Sequence, residues 1–300
     1  MKDFINNRYV IGADVGGSHL SSAVVDLKDG CLVTDPISTP VNSRGTASEI
    51  IDAWVSNLSA TASVWGKPIS SAGLAIPGPF DYVNGICKIS GVEKFESIFG
   101  IDLTPTLSAR LRGEGIIDFR YVNDASAFAL GECLGGAARD VSRAVAITLG
   151  TGVGSGFVSD HKLIEHGDGV PENGWVYCLP YEDSIVDASF STRWLCRRFE
   201  ELTGEKVSGG KEIADRCPGD ARAVRVFEEF GSRLAKFVVP LLNDFNSKTL
   251  VLGGSIALAY PLFGSELERA IAAAGSSIRV RTTELHDKAA LIGAASLFLQ

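Results

Sequence analysis

Residues 9–27, YVIGADVGGSHLSSAVVDL, constrain this chain more than any other stretch. An apolar run, Val10–Ala13, reaches Asp14 and breaks at Gly16-Gly17. A second run, Ser22–Leu27, then returns with β-branched residues, which is the signature of a hairpin. Gly16 and Gly17 carry no Cβ, so their N–H groups can approach an anion closely, and successive N–H groups make a concave nest for phosphate oxygens. Phosphate would repel Asp14 unless a divalent cation stood between them. A strand-end carboxylate beside such a nest therefore points to a nucleotide carrying Mg²⁺. A tight hairpin whose Asp and glycines serve only the turn accounts for the same residues.

A second copy favours the phosphate reading. Residues 143–159, RAVAITLGTGVGSGFVS, again give an apolar strand, a glycine-dense turn with a small hydroxyl residue (Thr151), and a returning strand. Val10–Ala13 falls on Val145–Thr148, and Gly16–Ser18 falls near Gly150–Gly152. The chain reads as two related halves. Two such hairpins facing each other can hold a triphosphate from both sides, which one structural turn has no reason to do.

Composition narrows the ligand. The chain has 300 residues, 45% of them hydrophobic, enough for one large or two ordinary domains with a sizeable core. A net charge of -8 and a pI near 5.1 oppose binding to nucleic acid, since no basic patch offsets backbone phosphates. Small molecules are the expected ligands. The start, MKDFINNRYV, has no apolar signal core, and no apolar run approaches the length of a membrane span. A soluble, cytoplasmic protein without a membrane partner is expected. Cys31, Cys87, Cys133, Cys178, Cys196 and Cys217 include no C-x-C or C-x-x-C pair, so reduced cysteines are expected rather than disulfides or a zinc site.

Between the hairpins, 46–62 has the apolar spacing of a helix (Ile50, Ile51, Trp54, Val55, Leu58). A short strand, Ala72–Ile76, ends in Pro77-Gly78-Pro79, where prolines stiffen a loop and Gly78 lets backbone come near a ligand; a rigid turn explains it equally. Residues 86–99 are irregular, and 103–111 read as a short helix. A strand over 116–122 meets a helix over 125–134 at Asn123-Asp124. Asn and Asp are good helix N-caps, and a carboxylate at the carboxyl end of a strand is also where α/β sheets place ligand-contacting groups. After the second hairpin, 161–187 is a polar loop holding Glu172, Trp175 and Asp187. Helices are expected over 194–202, 211–217 and 221–243, with Pro240 bending or shortening the last. A strand over 249–252 runs into Gly253-Gly254-Ser255, which opens a helix. A helix over 266–274, a strand over 278–282 and an apolar helix over 289–298 follow. Strands alternating with helices, with a hairpin opening each half, predict an α/β fold with mixed sheets.

Together DVGGS (Asp14–Ser18), IPGPFD (Ile76–Asp81), NDA (Asn123–Ala125), LGTGVGSG (Leu149–Gly156) and LVLGGS (Leu250–Ser255) resemble the ROK family of sugar kinases, in that family's order and approximate spacing. The resemblance implies a two-lobed ribonuclease H-like (actin-like ATPase) fold with mixed sheets and an interlobe cleft. An N-terminal lobe over 1–118 would be joined by the last helix, about 288–300, and a C-terminal lobe would span 119–287. It further implies ATP and Mg²⁺ as cofactors, a sugar as substrate and a homodimer. Gly16, Gly17 and Ser18 with Gly150, Thr151 and Gly152 would hold nucleotide phosphates, Gly253, Gly254 and Ser255 would face the adenosine, and Asp14 would position Mg²⁺ through water. Gly78, Asn123, Asp124, Glu172, Trp175 and Asp187 would meet the sugar, with Asp124 as catalytic base.

Departures from the family pattern bear on substrate. Where members commonly carry Glu-x-Gly-His and a cysteine-rich zinc loop, this chain has PENGWVYCLPYEDSIVDAS. Glu172 matches the first sugar-binding Glu. Trp175 stands in place of the His, Asp187 replaces a second Glu, and Cys178 is the loop's one cysteine, so no zinc site is expected. Tryptophan cannot accept a hydrogen bond, yet its ring can stack on the apolar face of a sugar. The leading expectation is ATP-dependent phosphorylation of a primary hydroxyl of a hexose or amino-hexose. The alternative is a non-catalytic or regulatory sugar- or nucleotide-binding protein of the same fold.

Overall fold

Each glycine hairpin opens a mixed sheet, and the two sheets share one topology. In the computed structural model, which describes residues 8–299, the chain divides into two compact units. One runs up to Gly135 and regains the chain from Asp287 onward; the other is Gly136–His286. The stretch 1–7, read above as lacking a targeting signal, lies outside the described residues, as does Gln300. Among the described residues no helix is long and apolar enough to cross a membrane.

The first unit contains β1 (Tyr9–Val15), β2 (His19–Asp26), β3 (Cys31–Leu32), β4 (Ile37–Pro40), α1 (Ala47–Trp65), β5 (Ser71–Ile76), β6 (Phe80–Asp81), β7 (Ile86–Cys87), α2 (Leu103–Arg110), β8 (Asp118–Asn123) and α3 (Asp124–Leu134). Its six-stranded sheet runs β3-β2-β1-β5-β8, with β4 also on β2. The hairpin pair is antiparallel, while β1, β5 and β8 are parallel, with Ala13 level with Leu74 and Ile76 level with Asn123. Helix α1 starts at a capping box: Thr46 accepts from the Glu49 N–H and Glu49 accepts from the Thr46 N–H at 2.6 Å.

The second unit contains β9 (Arg143–Leu149), β10 (Val153–Ser159), β11 (Lys162–Leu163), β12 (Pro180–Tyr181), β13 (Ser184–Ile185), α4 (Val186–Phe190), α5 (Thr192–Thr203), α6 (Gly210–Ala214), α7 (Ala221–Asp244), β14 (Thr249–Gly253), α8 (Tyr260–Ala273) and β15 (Arg279–Thr282). Its sheet runs β11-β10-β9-β14-β15, again an antiparallel hairpin continued by parallel strands. The core gathers Val145, Ile147 and Leu252 of the sheet with Phe227, Phe230 and Phe263 of α7 and α8.

The last helix, α9 (Lys288–Ser296), returns to the first unit. Alternation along β1 sends Ile11 and Ala13 to the core under α1 and turns Gly12 to the opposite face. There Gly12 pairs in register with Gly73 of β5, and α9 lies directly on them: a Cβ at Gly12 would overlap the Leu291 carbonyl, and one at Gly73 the Ala294 carbonyl. Helices α3 and α9 meet in the same way, through Gly131 against Ala289 and Gly293 against Ala127.

Four expectations change. The boundary does not fall at 118, because β8 pairs along its whole length with β5 and carries α3 into the first unit; the division comes after Gly135. Pro240 does not shorten its helix: it lies on the exposed side of α7, while Phe237, Val238 and Leu242 keep the apolar face buried through to Asp244. The helix expected to open at Gly253–Ser255 is a 3₁₀ turn, Ser255–Ala259, followed by one continuous helix, α8. The irregular 86–99 stretch includes the short strand β7 and a 3₁₀ turn, Glu96–Ile98.

Adding a methyl where backbone meets backbone leaves no flexible neighbour to yield. Gly73→Ala should destabilise the protein by about 3 kcal/mol or more, the upper end of overpacking costs. Gly113→Ala, at a glycine whose added Cβ meets nothing within 4 Å, should stay within about 0.5 kcal/mol. Urea unfolding of both variants checks this.

Candidate active site

Parallel strands deliver their carboxyl ends to one edge of a sheet, where α/β folds bind ligands. In the first unit β1, β5 and β8 bring Asp14, the Gly78 loop and Asn123-Asp124 to that edge. Asn123 is both the last residue of β8 and the N-cap of α3, accepting from the Ala125 and Ser126 N–H groups at 3.0 and 3.3 Å. Its amide nitrogen donates to Tyr82 Oη at 3.3 Å, and Tyr82 Oη donates to the Ile76 carbonyl at 3.0 Å. A Cβ on Gly78 would stand 3.3 Å from the same hydroxyl. Tyr82 thus ties the β5 loop to the β8 end. Nothing in its sequence context set it apart.

The carboxylates at this edge disturb one another. Asp14 is pushed up to about 6, first by burial and then by the negative charge of Asp124, with Asp287 adding to the rise and His19 opposing it. Asp124 is also raised, by burial foremost, against the pull of the Ala125 N–H that it accepts at 2.9 Å. Asp124 is exposed as a residue, so it is accessible, and its raised value makes it a stronger base than an ordinary Asp. Asp287, at the N-cap of α9, is a site-edge carboxylate missed in the sequence, since only the return of α9 brings it near Asp14.

The turn of the first hairpin closes with the Gly16 N–H on the His19 carbonyl at 2.9 Å. The N–H groups of Gly17 and Ser18 have no acceptor among the described residues, and Ser18 Oγ lies 3.0 Å from His19 Nδ1. Unpaired donors beside a strand-end carboxylate suit an anion together with a cation. No group of three His, Cys, Asp or Glu side chains able to hold a metal occurs among the described residues; Asp14 is a hard oxygen ligand of the type that Mg²⁺ takes through its water shell.

In the second unit the equivalent turn, Gly150–Gly152, is held by Thr192, whose N–H and hydroxyl both donate to the Gly150 carbonyl at 2.8 and 3.0 Å. Gly253–Ser255, at the end of the neighbouring strand, lies against it: a Cβ on Gly150 would stand 3.4 Å from Ser255 Oγ, and Gly254, at φ +80°, packs on the Leu149 backbone. Both stretches expected to hold the nucleotide therefore sit together. Asp187, in the first turn of α4, joins them: one oxygen accepts from the Val153 N–H at 2.8 Å and the other pairs with Arg193. Glu172 and Trp175 do not share that turn. Their 3₁₀ turn is fastened to the middle of β10, where Ser155 Oγ donates to the Gly174 carbonyl and accepts from the Val176 N–H. Glu172 is exposed, Trp175 is half-buried, and its ring lies 6.1 Å from that of Tyr177.

Residues 10–300 match the ROK family. The chain belongs to that family. It is 27% identical to a glucokinase of Thermotoga maritima over 96% of this chain and 96% of that protein. It is 26% identical to an N-acetyl-D-glucosamine kinase of Aliivibrio fischeri over 95% of this chain and 98% of that one. Its fold matches a ROK glucokinase of Streptomyces griseus, solved with glucose and AMPPNP, at a TM-score of 0.73 and 23% identity, covering 96% and 98% of the two chains. Family and relatives place this ROK protein among the sugar kinases, and its fold is the actin-like ATPase fold.

The raised carboxyl of Asp14 has a measurable consequence. A carboxyl whose folded value exceeds its ordinary 3.8 holds its proton more tightly when folded, so its stabilising contribution is full below about 3.8 and lost as pH rises through about 6. Asp14→Asn should therefore raise the melting midpoint by roughly 2–6 °C at pH 8 and leave it unchanged at pH 4, as thermal scans at the two pH values would show.

Proposed function

We propose that this ROK protein transfers the terminal phosphoryl group of ATP to a primary hydroxyl of a hexose or amino-hexose, with Asp124 as general base. The observation that carries this is the joint arrival of Asp14, Asn123 and Asp124 at one sheet edge, with Asp124 raised toward the range useful to a base. Relatives that phosphorylate glucose and N-acetyl-D-glucosamine support the acceptor class. Phosphoryl transfer has a loose transition state, so catalysis is mainly alignment and charge stabilisation, and the base need take the hydroxyl proton only late.

In this reading the sugar hydroxyl gives its proton to the Asp124 carboxylate as its oxygen forms a bond to the terminal phosphorus. The bond from that phosphorus to the bridging oxygen breaks, and ADP leaves. Asn123, oriented by Tyr82 and capping α3, holds the sugar beside the base, with Gly78 leaving room for it. Bound Mg²⁺ would neutralise phosphate charge, with Asp14 holding its water shell. Gly16–Ser18 and Gly150–Gly152 supply N–H donors to phosphates, and Gly253–Ser255 supplies backbone to the adenosine. Glu172 and the Trp175 ring are assigned to the sugar, one as acceptor and one as stacking surface. Asp187 is assigned to bracing the second phosphate turn rather than to the sugar, because one of its oxygens holds the Val153 N–H of that turn and the other pairs with Arg193.

ADP release from ATP and Mg²⁺ should be measured across glucose, mannose, fructose, allose, glucosamine, N-acetylglucosamine and N-acetylmannosamine. Turnover on at least one sugar is expected, with Asp124→Asn losing about 10²–10⁴-fold in kcat, the range for a general base, while still binding the sugar. Silence on every sugar with ATP still bound would replace the kinase with a non-catalytic binder. Asp187→Ala should raise KM for ATP by about tenfold, as loss of one charge-assisted hydrogen bond would, and leave KM for the sugar within about twofold. The reverse pattern would return Asp187 to the sugar.

A further inference from the structure

Lys94 enters none of the roles above, yet its side chain lies on the first glycine turn. An ideal Cβ on Gly17 would meet Lys94 Cδ at 3.2 Å, Cε at 3.3 Å and Nζ at 3.4 Å. Among the described residues no carboxylate pairs with that ammonium; Glu93, the acidic residue next to it, pairs with Arg44 instead. Lys94 lies over the Cα of Gly17, in a turn whose Gly17 and Ser18 N–H groups also lack acceptors among the described residues. Donors from two separate segments thus meet at one turn, and the neighbouring Asp14 is not bonded by that turn.

The segment that carries Lys94 is built to hold it there. Glu93 and Phe95, on either side of it, both have φ 57°, a left-handed conformation that side chains other than glycine rarely take and that persists only where surroundings enforce it. Enforcement is visible. Phe95 is buried, its ring 5.9 Å from the Trp54 ring, and its N–H donates to the Ser43 carbonyl at 2.7 Å. Glu93 pairs with Arg44 at 2.8 Å and accepts nothing from Lys94; its N–H donates to Glu96 at 3.0 Å. Ser97 Oγ donates to the Gly45 carbonyl at 2.7 Å. Backbone in this conformation flanking one unpaired cation is strain retained for position, not for packing of the lysine, which is exposed.

We propose that Lys94 is a phosphoryl-binding residue of the first glycine turn: its ammonium joins the Gly17 and Ser18 N–H groups in seating the oxygens of the phosphoryl group that is transferred. This rests on the phosphotransfer reading above. Donors fixed before the charge develops act where a loose transition state concentrates negative charge on the equatorial oxygens, so Lys94 acts more on kcat than on ground-state affinity. It is a contribution in cis, from the same unit that carries Asp124.

The test uses the full chain, with Lys94→Met, which keeps the aliphatic cover over Gly17 and removes the charge, and Lys94→Arg, which keeps the charge. With the sugar that wild type turns over, Lys94→Met should lose about 10²-fold or more in kcat, the loss typical of one transition-state donor, with KM for the sugar within about twofold. Lys94→Arg should recover at least a tenth of wild-type kcat. Calorimetric titration with Mg²⁺–AMPPNP, which needs no turnover, should show weaker binding in Lys94→Met than in wild type. Wild-type kcat and wild-type AMPPNP affinity in Lys94→Met overturn the inference and leave the kinase reading standing. Wild type that binds AMPPNP but phosphorylates no sugar overturns the kinase reading alone if Lys94→Met binds AMPPNP more weakly, and both if it does not. Wild type that binds no AMPPNP overturns both.

Discussion

The first unit depends on backbone lying against backbone. Gly12 and Gly73, level with each other on β1 and β5, leave one face of the sheet without side chains at those two positions, and α9 settles there with its own carbonyls where the side chains would otherwise stand. Helix α3 completes the arrangement by meeting α9 through Gly131 and Gly293. Contact this close maximises dispersion contacts along both helices and leaves no slack, since packed interiors accommodate not even one extra methylene without cost. It also sets the site. Asp124 opens α3 and Asp287 precedes α9, so the depth of these helices on the sheet decides how far their N-termini project toward Asp14.

That placement gives the site its electrostatic character. Three carboxylates of like sign sit near one sheet edge, and protein around Asp14 and Asp124 raises both above ordinary values. Such a grouping is costly in the absence of a cation and tolerable beside one, and strongly perturbed carboxylates of this kind cluster at functional sites. Opposite in character are the glycine turns, where unpaired N–H groups, and at the first turn the Lys94 ammonium, present only positive ends of dipoles or charge. In the first unit carboxylates and unpaired donors are thus separated onto different segments. The second unit repeats the device with Thr192 bracing its turn and Asp187 taking the Val153 N–H, which leaves the donors of Thr151 and Gly152 without an acceptor among the described residues.

Much of this was legible in the sequence. Glycine hairpins announce themselves because only glycine permits the close approach they need, and the repeat at Arg143–Ser159 marked the duplicated sheet topology. Helix α1 was legible through its apolar spacing, while the capping box at Thr46 and Glu49 that starts it came from the structure. Asp14, Asn123 and Asp124 stood out as polar residues at strand ends. The boundary at 118 was misplaced because a strand's partner is not written in its own residues: β8 has the same composition whichever sheet it joins, and its pairing with β5 settles the matter. The course of α7 through Pro240 likewise follows from the apolar face on both sides, a tertiary effect that outweighs local propensity.

What the sequence determined by itself, then, is whatever a short stretch needs for its own conformation: the hairpins, the caps, the alternation of buried and exposed positions, and the chemical types at strand ends. What only the tertiary structure decided is which of those ends share an edge. Tyr82, Asp287 and Lys94 look ordinary in their own surroundings. They matter because the turn after β6, α9 and the strained segment around Phe95 carry them to Asn123, Asp14 and Gly17, residues 41, 273 and 77 positions away along the chain. Local sequence specifies local geometry through sterics and hydrogen bonding, whereas proximity between distant residues is a property of packing, which no single stretch contains.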